Sequence, residues 1–260
     1  MNAPENPPGF VVRTEAQKAA SNNGFRSERG TEAGWLKFES TTVPGAIWIA
    51  GASTKGPWLL SIGRAEVGRE IGNVRRSEIA GPGIETFEFD TLGALYDTLE
   101  HVYRLSLSLP DVPLDSFRAA IRDMPTNTEA ERLVVQRVGQ NIFRNALMAY
   151  WGGRCPLTGI TDTELLRASH IVPWAECESD ALRLDVHNGL LLSALWDSAF
   201  DAGLVSFGDN GEVIVSSLLS ADAASALRLN EPVKLHGLTQ THRQNLARHR
   251  SRYGFRNSTN

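Results

Sequence analysis

Short apolar runs of β-strand type mark the first ninety positions of the chain. They occupy residues 34–40, 46–51, 58–63 and 86–90, and Pro-Gly and Lys-Gly-Pro turns separate the first three. A stripe at helical spacing follows, formed by Leu92, Leu95, Tyr96, Leu99, Val102 and Tyr103. We therefore predict a small α+β unit over residues 10–108, with neighbouring antiparallel strands.

Capping and breaking residues predict where other helices begin and end. Thr14 and Gln17 have the spacing of a capping box for a short helix before Gly24. Thr128 and Glu131 have the same spacing at the start of a long apolar stripe that reaches residues 152–153. Between these regions, two prolines predict a connector at residues 111–127, so we place the N-terminal domain at residues 1–110 and the second at residues 128–260.

Polar side chains in the second domain have the spacing of a hydrolytic site. A strand carries His170, a second strand opens at Asn188, and a short helix carries Asp197 and Asp201. Four residues apart on a helix, two carboxylates lie one turn apart and can reach one divalent cation. Phosphodiester hydrolysis needs a base, a group that holds the base, and a hard cation. The order strand, strand, helix predicts a ββα-metal finger.

Four linked motifs in this region resemble the HNH endonuclease family, particularly its bacterial restriction endonucleases. They are C-x-x-T-G at residues 155–159, S-H-I-x-P-W at 169–174, R-L-D-x-x-N-G-L-L-L at 183–192 and D-x-x-F-D-x-G-L at 197–204. The resemblance covers residues 128–217 and leaves residues 1–110 unexplained. It implies that His170 is the general base, that Asn188 braces the strand and orients the imidazole, and that Asp197 and Asp201 hold a cation.

The chain departs from the family pattern at two ligand positions. Asp197 stands where the family name has its last His, and an all-oxygen pair favours Mg²⁺ or Mn²⁺. Ser169 stands where many relatives have an Asp or His ligand. A hydroxyl is a weak ligand, so either the cation keeps more water or His170 itself is a ligand.

Basic residues supply candidate contacts to DNA phosphates. Arg183, a residue of the recognised pattern, and Arg167 are candidate phosphate clamps, because a guanidinium can bind two oxygens at once. The segment 232–260 contains no acidic residue and includes Arg243, Arg248 and Arg250. This local cationic segment fits a phosphate partner, or alternatively a solvated terminal helix.

Composition excludes several other classes of protein. The 260 residues carry a net charge of −4, with 42% hydrophobic residues, and the two cysteines, Cys155 and Cys177, are too few for a disulfide framework. We expect two reduced, buried thiols. No membrane span, export signal or nucleotide-cofactor motif is recognisable, so we expect a cytoplasmic protein.

The leading interpretation is a metal-dependent DNA endonuclease of restriction or defence type. Alternatives are a non-catalytic DNA-binding module and a nuclease that acts on RNA or as a toxin. One finger cuts one strand, so double-strand cleavage requires a homodimer or two nicks. Residues 1–110 would recognise the target or sense a signal. An aromatic surface of Trp35, Trp48 and Trp58 is one hypothesis for target choice, and core tryptophans are the alternative.

Overall fold

The computed structural model describes residues 3–255, so Arg256 of the cationic segment lies outside the described residues. The chain divides into two compact units, Met1–Val112 and Pro113–Asn260. The division falls close to the boundary expected near residue 110. Each unit mixes helices and strands, as an α+β fold requires.

The first unit is an antiparallel sheet with helices packed against it. Its elements are α1 (Phe10–Asn22), β1 (Ser27–Glu32), β2 (Trp35–Glu39), β3 (Ala46–Gly51), β4 (Trp58–Ile62), α2 (Ala65–Glu70), β5 (Glu85–Phe89) and α3 (Leu92–Ser108). Strands β1 to β5 pair in chain order. The four apolar runs of the sequence thus correspond to β2, β3, β4 and β5.

Two details of the first unit differ from the sequence prediction. Helix α1 begins at Phe10, and the Thr14 hydroxyl donates to the Phe10 carbonyl, 2.8 Å away, within the helix. The predicted capping box at Thr14 is therefore wrong, because burial of Val12 extends the helix one turn earlier. Strand β1 was not predicted, because its residues are polar and mostly exposed and so give no hydrophobic alternation.

The three tryptophans of the sheet do not form one aromatic surface. Trp58 and Trp35 are buried, with 1% and 4% of their surface exposed. Trp48 is half-buried, and the Lys37 ammonium lies 5.8 Å from its ring centroid. The hypothesis of an aromatic-lined sheet therefore applies to Trp48 alone.

In the second unit, helices surround a two-stranded hairpin. Its elements are α4 (Asp111–Ile121), which begins just before the division, α5 (Glu129–Tyr150), β6 (Leu166–His170), α6 (Asp180–Leu184), β7 (Gly189–Ser193), α7 (Ala194–Asp201), β8 (Val205–Phe207), β9 (Val213–Val215), α8 (Ala221–Ala226) and α9 (Gln240–Arg252). Strand β6 pairs with β7 and β8 with β9, both antiparallel.

The segment predicted as a connector, residues 111–127, is largely helical. Helix α4 occupies its first eleven residues and buries Phe117. Pro113 fits this helix because it lies in the first turn, where backbone N–H groups lack intrahelical partners. The two prolines therefore lie just before and within the first turn of a helix, and the division between the units falls inside the predicted connector.

Helix α5 begins as predicted, and the unit has a continuous core. The Thr128 hydroxyl accepts from the backbone N–H of Glu131, whose carboxylate accepts from the Thr128 N–H, so this capping box is confirmed. The core around β7 and α7 includes Leu190, Leu192, Trp196, Phe200, Phe207 and Leu246. Both cysteines are buried free thiols. None of the helices among residues 3–255 is long and apolar enough to cross a membrane.

Candidate active site

The β6–β7 hairpin carries the first candidate residue at the end where its connecting loop begins. His170 is the last residue of β6 and pairs with Gly189, the first residue of β7. Every residue of β7 is buried, so this strand lies in the core. Helix α7 follows β7 directly, which completes the predicted strand, strand and helix.

The His170 ring is fixed in orientation by three groups. Its Nε2 lies 2.9 Å from the backbone carbonyl oxygen of Arg183. The ring stacks on Phe143, with centroids 3.7 Å apart and planes inclined by 17°, and meets the edge of Trp174 at 5.6 Å. A carbonyl oxygen only accepts, so Nε2 carries the hydrogen and Nδ1 has the free lone pair in the neutral ring. Nδ1 has no hydrogen-bond partner among the described residues.

Burial also sets the charge of this imidazole. Desolvation lowers the pKa of His170 to about 4, although the hydrogen bond to the Arg183 carbonyl acts in the opposite direction. The ring is therefore neutral near pH 7.

Two glycines allow the aromatic groups to approach His170. A Cβ at Gly189 would lie 2.5 Å from the Phe143 ring, and one at Gly139 would lie 2.4 Å from the Trp174 ring. Real Cβ atoms do not come so close to ring carbons, so a larger residue at either position would displace these rings. The motif residue Gly189 thus has a packing role next to the candidate base.

Asn188 braces the loop between β6 and β7, and the hydrogen bonds of its side chain go to this loop and not to the imidazole. Its side chain is fully buried. The Oδ1 accepts from the Val172 N–H at 2.8 Å, and the Nδ2 donates to the carbonyls of Val172 and Leu182 at 3.2 Å. Leu182 immediately precedes Arg183, whose carbonyl holds His170. Asn188 therefore acts on the imidazole through the backbone.

Arg183 occupies a different place from the one predicted for a phosphate clamp. Its Nε and Nη2 donate to the carbonyls of Trp174 and Cys177, at 3.2 and 2.8 Å. Its Nη1 pairs with Asp180 at 2.8 Å. The guanidinium is thus held inside the loop, because it supplies the hydrogen-bond donors that these two loop carbonyls need. We correct the prediction: the side chain of Arg183 stabilises the loop, and its backbone carbonyl orients His170.

The predicted cation ligands lie together at one end of the hairpin. The Ser169 hydroxyl donates to Asp201 Oδ1 at 3.3 Å, and Ser169 is 2% exposed. Burial raises the pKa of both Asp197 and Asp201, and the Asp197 charge raises the pKa of Asp201 further. The Ser169 hydroxyl acts in the opposite direction on both carboxyl groups. Two partly desolvated carboxylates that repel each other favour a bound cation.

The donor set fits a hard cation that retains water. Among the residues that the structure describes, no three His, Cys, Asp or Glu side chains come together as a metal cluster. Asp197 and Asp201 supply carboxylate oxygens, and Ser169 supplies a hydroxyl. Mg²⁺ is commonly held by one or two carboxylates plus water, so this set fits Mg²⁺ or Mn²⁺.

An open cleft of about 360 Å³ joins the candidate base to one of these carboxylates. Ser169, His170 and Asp201 line it. Asp197 lies one turn earlier on α7 and is not among the lining residues.

The end of helix α9 and the residue after it supply side chains to the cleft that the motifs did not indicate. Arg252 and Tyr253 line it. The Tyr253 hydroxyl donates to the Asp201 carbonyl at 2.5 Å, and Arg252 forms an ion pair with Glu176. The sequence signal for Arg252 was its membership of the cationic segment, but only tertiary packing places it beside His170.

The other predicted phosphate contacts divide into exposed and buried residues. Arg167, Arg243 and Arg248 are exposed, and the Arg167 charge lowers the pKa of Asp197, against the effect of burial. Arg250 is 5% exposed, and it bonds the Phe207 carbonyl and the Asp209 carboxylate at 2.7 Å. The prediction that Arg250 contacts DNA is corrected, since it joins α9 to the turn after β8.

The class of domain follows from this geometry. A hairpin with a histidine at its end, followed by a helix that carries two acidic residues, is the predicted ββα arrangement. Residues 155–208 match a family model described as HNH endonuclease. The C-terminal unit therefore contains an HNH endonuclease domain, as the motifs indicated. A search of curated proteins found no match.

Proposed function

We propose that this protein is a metal-dependent DNA endonuclease of restriction or defence type. The observation that carries the proposal is the orientation of His170. Its Nε2–H is bonded to the Arg183 carbonyl, so Nδ1 keeps its lone pair, and His170 lines the same cleft as Ser169 and Asp201. This arrangement supports a general base beside a cation site.

Cation binding is assigned to Asp197 and Asp201, with the Ser169 hydroxyl beside them. A Mg²⁺ or Mn²⁺ ion there would neutralise negative charge on the phosphate and on the leaving oxygen. Two observations support this assignment. The pKa values of both carboxyl groups are raised, and every proposed ligand atom is an oxygen.

The reaction assigned to these residues is hydrolysis of a phosphodiester. His170 Nδ1 accepts a proton from water as the water oxygen bonds to phosphorus. The bond between phosphorus and the 3′-oxygen breaks, the 3′-oxygen takes a proton from a solvent water, and His170 afterwards returns its proton to solvent. The products are a 5′-phosphate and a 3′-hydroxyl. Phe143 and the Arg183 carbonyl hold the imidazole in place throughout.

Arginines near the cleft would bind the DNA backbone. Arg252 lines the cleft and is 40% exposed, so it replaces Arg183 as the candidate phosphate contact. Arg167, Arg243 and Arg248 are exposed candidates for neighbouring phosphates. Such contacts position DNA but do not read its sequence. Target choice is therefore assigned to the first unit, and double-strand cleavage to a homodimer or two nicks.

A plasmid assay tests this function. Purified protein is incubated with supercoiled plasmid in Mg²⁺ or Mn²⁺ and, in parallel, with excess EDTA. We expect nicked or linear DNA that carries 5′-phosphates with the cations and intact plasmid with EDTA. Plasmids with unmodified and modified cytosines are compared, and a difference between them would support target recognition by the first unit.

Three results would contradict the proposal. Intact plasmids under all cation conditions, with DNA bound in a mobility-shift assay, would favour the binding-module alternative. Cleavage of RNA but not DNA would favour an RNA-directed nuclease. Cleavage that is unaffected by EDTA would contradict the role of the cation.

A further inference from the structure

A second cavity of the C-terminal unit shares no lining residue with the His170 cleft. Its volume is about 740 Å³, within the size range of small-molecule sites. Leucines 157, 165 and 195 supply apolar lining, together with Trp196 and Val233. Leu165 and Leu195 are each 49% exposed, so the apolar lining is open to solvent.

Basic side chains line the same cavity. Arg228, Lys234 and His236 all come from the segment that follows α8, and Glu231 is the single carboxylate beside them. The local charge is therefore positive, although the whole chain is acidic. An arginine and a lysine in this setting favour an anion, and a guanidinium can bind two phosphate oxygens together.

Two buried polar side chains that line the cavity lack protein partners. Ser193 is 6% exposed and Trp196 is 3% exposed. Among the described residues, neither the Ser193 hydroxyl nor the Trp196 indole N–H takes part in a hydrogen bond. Ser193 is the residue before α7, yet its hydroxyl does not cap that helix. Neither atom is among the fully buried polar atoms without a partner, so both keep contact with solvent, and a polar ligand in the cavity can replace the water that they bond.

We propose that this cavity binds a nucleoside monophosphate, with the base against the leucines and Trp196 and the phosphate on Arg228 and Lys234. An inorganic anion would leave the apolar lining and most of the volume unfilled. A purely apolar molecule would leave three basic side chains and two hydrogen-bonding groups unpaired. A molecule with a flat base and one phosphate satisfies both kinds of lining. Binding does not depend on whether the unit cleaves DNA.

The ligand would contact the helix that carries the candidate cation ligands. Ser193 and Trp196 lie at the start of α7, and Asp197 is the next residue. A ligand in the cavity would therefore contact the first turn of that helix.

Calorimetric titration of the full chain tests the proposal. AMP, GMP, CMP and UMP are titrated in the presence of EDTA, which removes cation-dependent binding at the His170 cleft. Adenosine and inorganic phosphate serve as partial ligands. We expect at least one monophosphate to bind with a submillimolar Kd, and each partial ligand to bind about tenfold more weakly or worse.

Charge and apolar variants locate the binding site. Lys234→Glu and Leu195→Glu each replace an exposed side chain of the cavity, so the fold is retained, and each should raise the Kd about tenfold or more. The matched controls are Lys55→Glu, at an exposed lysine of the first unit, and Leu218→Glu, at a leucine that is 82% exposed. Both controls should leave the Kd unchanged. Thermal unfolding verifies that every variant is folded.

Three outcomes would overturn the proposal. The first is that no monophosphate binds at millimolar concentration. The second is that the cavity variants and the control variants bind equally well. The third is that inorganic phosphate alone binds as tightly as the monophosphates. The last result would show an anion site without a base subsite.

Discussion

The loop between β6 and β7 and the helix α7 use polar side chains in opposite ways. In the loop, Asn188 and Arg183 are bonded to backbone carbonyls and N–H groups of the same loop. On α7, Asp201 accepts from the Ser169 hydroxyl and lines an open cleft, and Asp197 lies one turn earlier on the same helix. The motif residues therefore fall into two groups. The framework, Asn188 and Arg183, forms its hydrogen bonds within the loop. The available set, Asp197 and Asp201, has carboxylate oxygens that other molecules can bind.

Among the predictions that compare the loop with α7, the largest expected effect concerns the available set. Asp197→Ala or Asp201→Ala should reduce the rate of plasmid nicking about 10²- to 10³-fold, because each removes a proposed cation ligand. Stability should not fall, since both carboxylates are partly desolvated and have no cationic partner in direct contact among residues 3–255. Nicking rates at saturating Mn²⁺ provide the measurement. Asp222→Ala, at an exposed position of α8, is the control, and a nicking rate equal to that of the wild type in both test variants would contradict the ligand assignment.

The next effect concerns the framework. Asn188→Ala should lower the free energy of unfolding by about 3 kcal/mol, because it leaves the buried Val172 N–H and the Leu182 carbonyl without partners. Urea unfolding measures this loss. Asn141→Ala, on the exposed face of α5, should be nearly neutral. If Asn188→Ala were as stable as the wild type but inactive, Asn188 would belong to the available set instead.

Two arginines sharpen the same comparison. Arg252→Ala should weaken DNA binding about tenfold and reduce the slope of log affinity against log salt by about one, with no loss of stability. Arg183→Ala should do the reverse: it should lower the free energy of unfolding by about 1–2 kcal/mol and leave the salt slope unchanged. Fluorescence anisotropy over a salt series, with urea unfolding, separates the two roles. An altered salt slope for Arg183→Ala would restore it as a phosphate clamp.

The smallest expected effect is on the pH dependence of stability. It arises at His242, which lies outside both the β6–β7 loop and α7. Burial, reinforced by neighbouring His187 and Arg243, lowers the pKa of His242 to about 3. The folded state keeps this ring neutral while the unfolded state binds a proton below about pH 6.5, so stability is lost as the pH falls below that value.

A variant isolates this contribution. His242→Gln keeps an acceptor for the Thr239 N–H, which His242 Nδ1 now provides at 3.2 Å. Between pH 6.5 and about pH 5.5 it should lose about 1 kcal/mol less than the wild type. Urea unfolding at the two pH values measures the difference, and the exposed His236→Gln is the control. An equal loss in His242→Gln and wild type would contradict this origin of acid sensitivity.

Local patterns explain what could be predicted from the sequence. The apolar runs that became β2 to β5 were predicted because burial requires hydrophobic residues. The finger was predicted because His170, Asn188, Asp197 and Asp201 lie within 32 residues of one another. Strand β1 was missed because an edge strand needs no apolar pattern.

Tertiary contacts explain the remainder. The position of Arg183 could not be predicted, because a basic residue beside a catalytic motif has the same local sequence whether it meets DNA or a backbone carbonyl. Phe143, which stacks on His170, lies 27 positions earlier in an ordinary amphipathic stripe. Arg252 reaches the cleft only because α9 packs beside it.

Single-turnover cleavage by His170→Ala tests the central claim most directly. The claim is that the Nδ1 lone pair of an imidazole held by the loop carbonyl is the general base. We predict a rate about 10²- to 10⁴-fold below the wild type, partial recovery on addition of free imidazole, and unchanged cation affinity. A folded His170→Ala protein that cleaves DNA at the wild-type rate would contradict the account.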